Sequence, residues 1–182
     1  MPFYAYLILE AGWIIWIVPF VRALRTRRKT IKIDRRARWG LLFYAIAFSL
    51  LWQGRFWERS PPVWRTVVSV LLFSLGIVLS WTAGRALGRQ WTVEAGLNAD
   101  HELVTWGPYR LVRHPIYTSM LLLLFATGSL LTPWPLLLAS LVSFLIGTEI
   151  RVRVEDRLLS ERFGEQFEQY QRRVAAYIPL LR

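Results

Sequence analysis

Five apolar blocks, residues 4–21, 39–52, 63–81, 116–131 and 135–150, alternate along the chain with charged or turn-forming segments. The first is long enough to cross about 30 Å of hydrocarbon as a helix. Ser60-Pro61-Pro62 lies in the short polar turn between the second and third, so the two read as a helical hairpin. The fourth and fifth blocks hold 16 residues each and are joined by Thr132-Pro133-Trp134-Pro135. At about 1.5 Å per residue each reaches only about 24 Å, so the pair either crosses the membrane or dips in and returns. In both cases the segments at 22–38 and 85–113 and the C-terminal tail share one side. The chain turns charged after Glu149, while Leu159, Phe163, Phe167, Tyr170, Val174 and Tyr177 keep one helical face apolar. That spacing predicts an amphipathic surface helix able to act as a lid.

The expected fold is therefore an all-α integral membrane protein. It has about five transmembrane helices, the last two forming a short hairpin if they do not span, and a C-terminal amphipathic cytoplasmic helix. Residues 1–83 form an N-terminal set of transmembrane helices, and residues 84–182 carry the chemistry. The first block is followed, not preceded, by positive charge and lacks a small-residue cleavage site, so it is expected to stay in place as a helix.

Composition sharpens this picture. Of the 182 residues, 54% are hydrophobic, 10 are Trp and none is Cys, which excludes disulfides, thiolate metal clusters and a cysteine nucleophile. No metal site is assigned. The formal net charge of +11 would point to nucleic acid in a soluble chain. Here nine of the 23 Lys and Arg lie at residues 22–38, directly after an apolar block. They read as a cytoplasmic loop facing anionic lipid, and no nucleic-acid partner is expected.

The candidate chemistry sits in Gly107-Pro108-Tyr109-Arg110-Leu111-Val112-Arg113-His114-Pro115-Ile116-Tyr117. Gly-Pro fixes a turn. Pro115 suits the first turn of the fourth helix, where its missing N–H costs nothing, which puts His114 at the N-cap. A helix N-terminus attracts a carboxylate such as that of an amino acid, and His114, Tyr109 and Tyr117 add donors and aromatic faces. Arg110 and Arg113 are also read as positive-inside anchors. At the end of the fifth block, Glu155 and Asp156 could hold an ammonium or could pair with Arg151, Arg153 and Arg157.

The string His101-x-Leu103-Val104-Thr105-x-Gly107-Pro108-Tyr109-Arg110-x-x-Arg113-His114-Pro115-x-Tyr117, preceded by Leu87-Gly88-x-x-Trp91, resembles the isoprenylcysteine carboxyl methyltransferase family and its phospholipid methyltransferase relatives. The tail, with Glu155-Asp156, Phe163-Gly164-x-x-Phe167-x-x-Tyr170-x-x-Arg173-Val174 and Ile178-Pro179, resembles it too. The likeness covers about residues 87–179 and marks 84–182 as the methyltransferase-like region. It implies S-adenosylmethionine as cofactor, bound by His101, Leu103, Val104, Gly107, Tyr109, His114, Pro115, Tyr117 and Glu155. Arg173, with Arg153, is implied to face the acceptor. Ser119 stands where the family usually has Gly, and Asp156 where it usually has a second Glu.

Methyl transfer from a sulfonium needs alignment and a dry site more than acid–base help. A carboxylate acceptor is already ionised at neutral pH, whereas an ammonium must first lose a proton. With only two His in the chain, both implied to serve the cofactor, a lipophilic carboxylate like that of a prenylcysteine is expected ahead of a phospholipid amine or a thiol. The alternatives from other classes are an NADPH-dependent membrane reductase and a non-catalytic membrane scaffold. The expected location is the bacterial inner membrane with the site facing the cytoplasm. Membrane lipids and a lipophilic small molecule are the expected partners.

Overall fold

The computed structural model describes residues 1–26, 30–54, 60–91, 95–98 and 100–179. Six helices follow in order: α1 (Phe3–Thr26), α2 (Arg38–Leu51), α3 (Val63–Leu87), α4 (Pro115–Leu131), α5 (Trp134–Phe163) and α6 (Glu165–Arg173). Two short antiparallel strands, β1 (Thr30–Ile33) and β2 (Gly96–Asn98), pair the segment before α2 with the one after α3. Arg27, Arg28 and Lys29 of the basic segment and Glu94 of the polar stretch lie outside the described residues.

Among the described residues, three helices are long and apolar enough to cross a membrane: α1, α3 and α5. α2, with 14 residues, and α4, with 17, are shorter. The five core helices nevertheless run alternately up and down. The ends of α1 and α3, the starts of α2 and α4, and the last third of α5 all meet at one end, where Phe20, Leu41, Leu87, His114 and Glu155 line a common cavity. At the opposite end, Arg65 of α3 donates to the carbonyls of Gly128 (3.2 Å) and Thr132 (2.7 Å). A cation on the carbonyls that end α4 complements the helix dipole.

Lipid offers helices no hydrophobic reason to associate, so small residues and interhelical hydrogen bonds must hold them. The seam between α2 and α5 shows both. Ser140 Oγ donates to the carbonyl of Ala47 (2.7 Å), Ser143 Oγ to that of Phe43 (2.9 Å), and the Tyr44 and Thr148 hydroxyls lie 3.1 Å apart. Gly40 and Gly147 face each other so closely that a Cβ on either would fall 2.7 or 2.8 Å from the other's carbonyl oxygen. That approach brings the aliphatic stem of Arg151 onto Gly40. α1 is tied to α4 by Trp13 Nε1 donating to Thr127 Oγ1 (3.2 Å) and Trp16 Nε1 to Ser119 Oγ (3.1 Å).

Two expectations are revised. The boundary at residues 83 and 84 falls inside α3, and side chains from α1 and α2 enter the same cavity as the motif residues, so the two parts form one bundle. The continuous amphipathic helix expected after Glu149 is two helices. α5 runs on to Phe163, the chain turns at Gly164 with φ of 52°, and α6 follows. An L side chain rarely adopts that φ, so glycine is what permits the corner.

A methyl group at position 147 has no room, because the Gly40 carbonyl already fills it. Gly147→Ala is expected to cost about 1–3 kcal/mol and to lower the thermal midpoint of the detergent-purified protein. An unchanged midpoint would show that α2 and α5 are not held at glycine distance.

Candidate active site

Pro115 starts α4 and leaves His114 as its N-cap in a non-helical conformation. The imidazole does not cap its own helix. Its Nε2 lies 2.8 Å from Asp156 Oδ1 and its Nδ1 3.3 Å from Glu155 Oε2, so one ring is held between two adjacent carboxylates of α5. Arg113 Nη2 donates to the other oxygen of Asp156 (2.8 Å). Arg151 reaches Glu155 Oε1 through Nη2 (3.1 Å) and the Tyr117 hydroxyl through Nε (2.7 Å), and that hydroxyl donates in turn to Glu155. Spacings of four along α5 and three from His114 to Tyr117 put these groups on facing surfaces of α4 and α5.

Burial alone would lower the pKa of His114, but its hydrogen bonds to Asp156 and Glu155 outweigh that and push it up to about 9. The ring is therefore an imidazolium at neutral pH, and the cluster holds three cations (Arg113, His114, Arg151) against two carboxylates. His101 behaves oppositely: burial, reinforced by Arg162, pushes its pKa down and keeps it neutral.

The segment 112–114 is fixed from outside. Val112 and Ala175 form a parallel bridge, the Arg113 and His114 amides donate to the carbonyls of Ala175 and Ala176 (both 2.8 Å), and Arg113 Nη1 donates to that of Val174 (2.5 Å). Tyr170 of α6 donates its hydroxyl to the carbonyl of Tyr109 (2.6 Å). No residue of α6 lines the cavity. The helix expected to act as a lid instead braces the outer side of the motif.

The cavity has a volume of about 250 Å³, near the lower end of the roughly 300–1,000 Å³ usual for small-molecule sites. One end is charged, with Arg113, His114, Tyr117, Arg151 and Glu155, and the other is aromatic and apolar, with Trp16, Phe20, Trp91 and Met120. Two buried polar atoms of the wall have no hydrogen-bond partner among the described residues: His101 Nδ1 and Arg113 Nε. Such atoms are costly unless a ligand or solvent completes them.

Of the residues implied to bind the cofactor, the structure brings His101, Tyr109, His114, Pro115, Tyr117 and Glu155 together around the cavity. Val104 instead packs with Ala83, Ala86 and Tyr109, and Gly107 lines a separate groove on the far side of its turn. Leu103 is half-buried and does not line the cavity. Neither arginine expected to face the acceptor reaches it. The Arg153 side chain is 77% exposed and pairs with Glu149 on the outer face of α5, and Arg173 is exposed at the end of α6. Arg113 and Arg151 occupy the wall instead.

Asp156 does not line the cavity, being spent on His114 and Arg113, while Glu155 does. Ser119 is buried and holds the indole of Trp16 at the wall through their hydrogen bond. The aromatic contribution of α1 carries no motif, so sequence reasoning missed it. The i, i+4 spacing of Arg151 and Glu155 was the available signal for Arg151.

The model of the phospholipid methyltransferase family matches residues 64–166, which include α3, the motif segment, α4 and all of α5 that bears the site. The chain belongs to this family. The cobalt-zinc-cadmium resistance protein CzcN of Cupriavidus metallidurans is 31% identical over 79% of this chain and 62% of its own length. The protein-S-isoprenylcysteine O-methyltransferase of Schizosaccharomyces pombe is 39% identical over 46% of this chain and 36% of its own length. The methanethiol S-methyltransferase of Pseudomonas deceptionensis is 36% identical over 41% and 27%. The chain thus spans a little under two thirds of CzcN and smaller parts of the other two. With three helices able to span a membrane, this is a membrane protein of a methyltransferase family.

The raised pKa of His114 sets a pH dependence. The stability its charge supplies is fully present below its ordinary pKa of 6.5 and is lost as the pH rises through about 9. The thermal midpoint of the purified protein is expected to fall across that rise, and the fall to be absent in His114→Asn. Parallel curves for the two proteins would exclude a buried imidazolium.

Proposed function

We propose that the protein transfers a methyl group from S-adenosylmethionine to a lipophilic acceptor, foremost a carboxylate of a prenylcysteine-like molecule. The observation that carries this is the cavity itself, in which an ionic end built by His114, Tyr117 and Glu155 meets an aromatic end beside two unpartnered polar atoms. Those features suit a zwitterionic amino-acid moiety joined to a flat heterocycle. Glu155 would take the ammonium, the unpartnered Arg113 Nε the carboxylate beside the His114 ring, His101 Nδ1 a further polar group, and Trp16, Phe20 and Trp91 the ring. When bound, S-adenosylmethionine supplies an electrophilic methyl on a sulfonium that needs no further activation.

The residues of the chain then have to orient and dry the site. Tyr117 is held between Arg151 and Glu155 and cannot swing. The aromatic end excludes water. The guanidiniums of Arg113 and Arg151 at the cavity wall favour an anion, which supports a carboxylate acceptor and gives Arg151 the role the resemblance implied for Arg153 or Arg173. A thiol is the second reading, in which the Nδ1 of the neutral His101 takes the acceptor's proton in place of a cofactor group. The basic segment between α1 and α2 lies at the same end as the cavity, which supports a site on the cytoplasmic face of a bacterial inner membrane.

Calorimetric titration of the detergent-purified protein with S-adenosylhomocysteine, and with NADPH in parallel, tests the class. Saturable binding of the nucleoside alone is expected. Glu155→Gln should weaken it by at least tenfold, as expected for a buried charged hydrogen bond, and Arg153→Ala should leave it unchanged. Binding of NADPH alone would transfer the protein to the reductases, and binding of neither would leave a scaffold.

A further inference from the structure

A second cluster of charge lies outside the cavity at the same end of the bundle. The Arg22 guanidinium of α1 lies 5.4 Å from the centre of the Trp81 ring, and that of Arg85, one turn further along α3, lies 5.8 Å from it. The indole is fixed by its Nε1, which donates to the carbonyl of Ile15 (2.9 Å). Each cation is attracted to the ring, but the two repel each other. No carboxylate among the described residues pairs with either one. Both are exposed. Two cations gathered on one ring without an acid make a site for an anion.

From Arg85 an apolar groove of about 660 Å³ runs along α3 past Thr82 and Val78 to Leu75, with Leu111 and Leu122 opposite. Val78 is 61% and Leu111 70% exposed. The ten residue steps from Leu75 to Arg85 span about 15 Å, half of the roughly 30 Å hydrocarbon layer. The groove is thus as deep as one leaflet, and the cations stand at its polar end. Trp106, Gly107 and Pro108 close it, and these begin the turn whose Tyr109 lines the cavity.

We propose that Arg22, Arg85 and this groove bind one anionic phospholipid, with its phosphate between the guanidiniums and an acyl chain along Val78, Leu75 and Leu111. The site is separate from the cavity and does not depend on which acceptor is methylated. A zwitterionic phospholipid has the same tails but no net charge, so the headgroup is what the arginines select. A bound chain also packs against Gly107-Pro108, and so supports the cavity wall from behind.

The test is native mass spectrometry of the full chain in detergent, titrated with dioleoyl phosphatidylglycerol or dioleoyl phosphatidylcholine. The wild type is expected to retain a single phosphatidylglycerol in preference to phosphatidylcholine by on the order of tenfold, as two interfacial arginines supply. Arg22→Gln/Arg85→Gln should abolish that preference, and the control Arg153→Gln/Arg157→Gln should keep it. Equal retention of both lipids by the wild type would overturn the proposal, as would a preference that survives in the Arg22→Gln/Arg85→Gln protein. A dimer that dissociates in that variant would assign the groove to a second copy of the chain and overturn it as well. S-adenosylhomocysteine affinity in lipid-free detergent should be the same for wild type and variant, which shows that a negative lipid result is not a failure of the cavity.

Discussion

The pairing of one imidazolium with two neighbouring carboxylates, between the start of α4 and the last third of α5, is the constraint around which the ionic end of the bundle is arranged. A buried charge without a partner is too costly to keep, and breaking such a pair by removing one member costs about 3–5 kcal/mol. Each member of the cluster therefore fixes the next. His114 must stand at the mouth of α4, so α4 begins at Pro115. Asp156 is used up by His114 and Arg113 on the side away from the cavity, where Gln171 of α6 also donates to it, which leaves Glu155 as the carboxylate on the cavity. Arg151 balances Glu155 one turn away and immobilises Tyr117 in doing so.

This charged end is separated from the rest of the bundle by the way the helices are joined. Further in, along the seam of α2 and α5, association relies on hydroxyls donating to backbone carbonyls and on two glycines meeting face to face. The glycine seam also serves the site. Gly40 leaves the space into which the stem of Arg151 folds, so the separation of α2 from α5 sets where a guanidinium enters the cavity. Ser119 plays a corresponding part on the other side, where a hydroxyl in place of the family's usual glycine holds an indole of α1 against the pocket.

The sequence made the motif legible because its chemistry is compact. The turn, the N-cap histidine and the proline that starts α4 fall within eleven residues, and each has a local physical reason. The acidic pair was equally visible. The facing of the elements was not. Residues two apart on a helix point about 200° apart, so once the Gly40–Gly147 contact turns Arg151 inward, Arg153 must point outward. Arg173 was displaced for another reason. Apolar periodicity carried smoothly from Leu159 to Tyr177 and suggested one helix, while Gly164 turns the chain between Phe163 and the fully buried Phe167. The aromatic wall from α1 has no signature other than tryptophan in an apolar helix, which reads equally well as lipid contact.

The strand-like contact of residues 174–177 with 112–114 has a consequence for how the molecule is made. During synthesis α4 leaves the ribosome before α5, and the tail follows α6. The amides of Arg113 and His114 therefore wait without their carbonyl partners, and His114 without its carboxylates, until the polypeptide has laid down every core helix. Insertion into the bilayer and completion of the binding cavity are thus separate events in time, the second governed by a few backbone hydrogen bonds formed at the water-facing end.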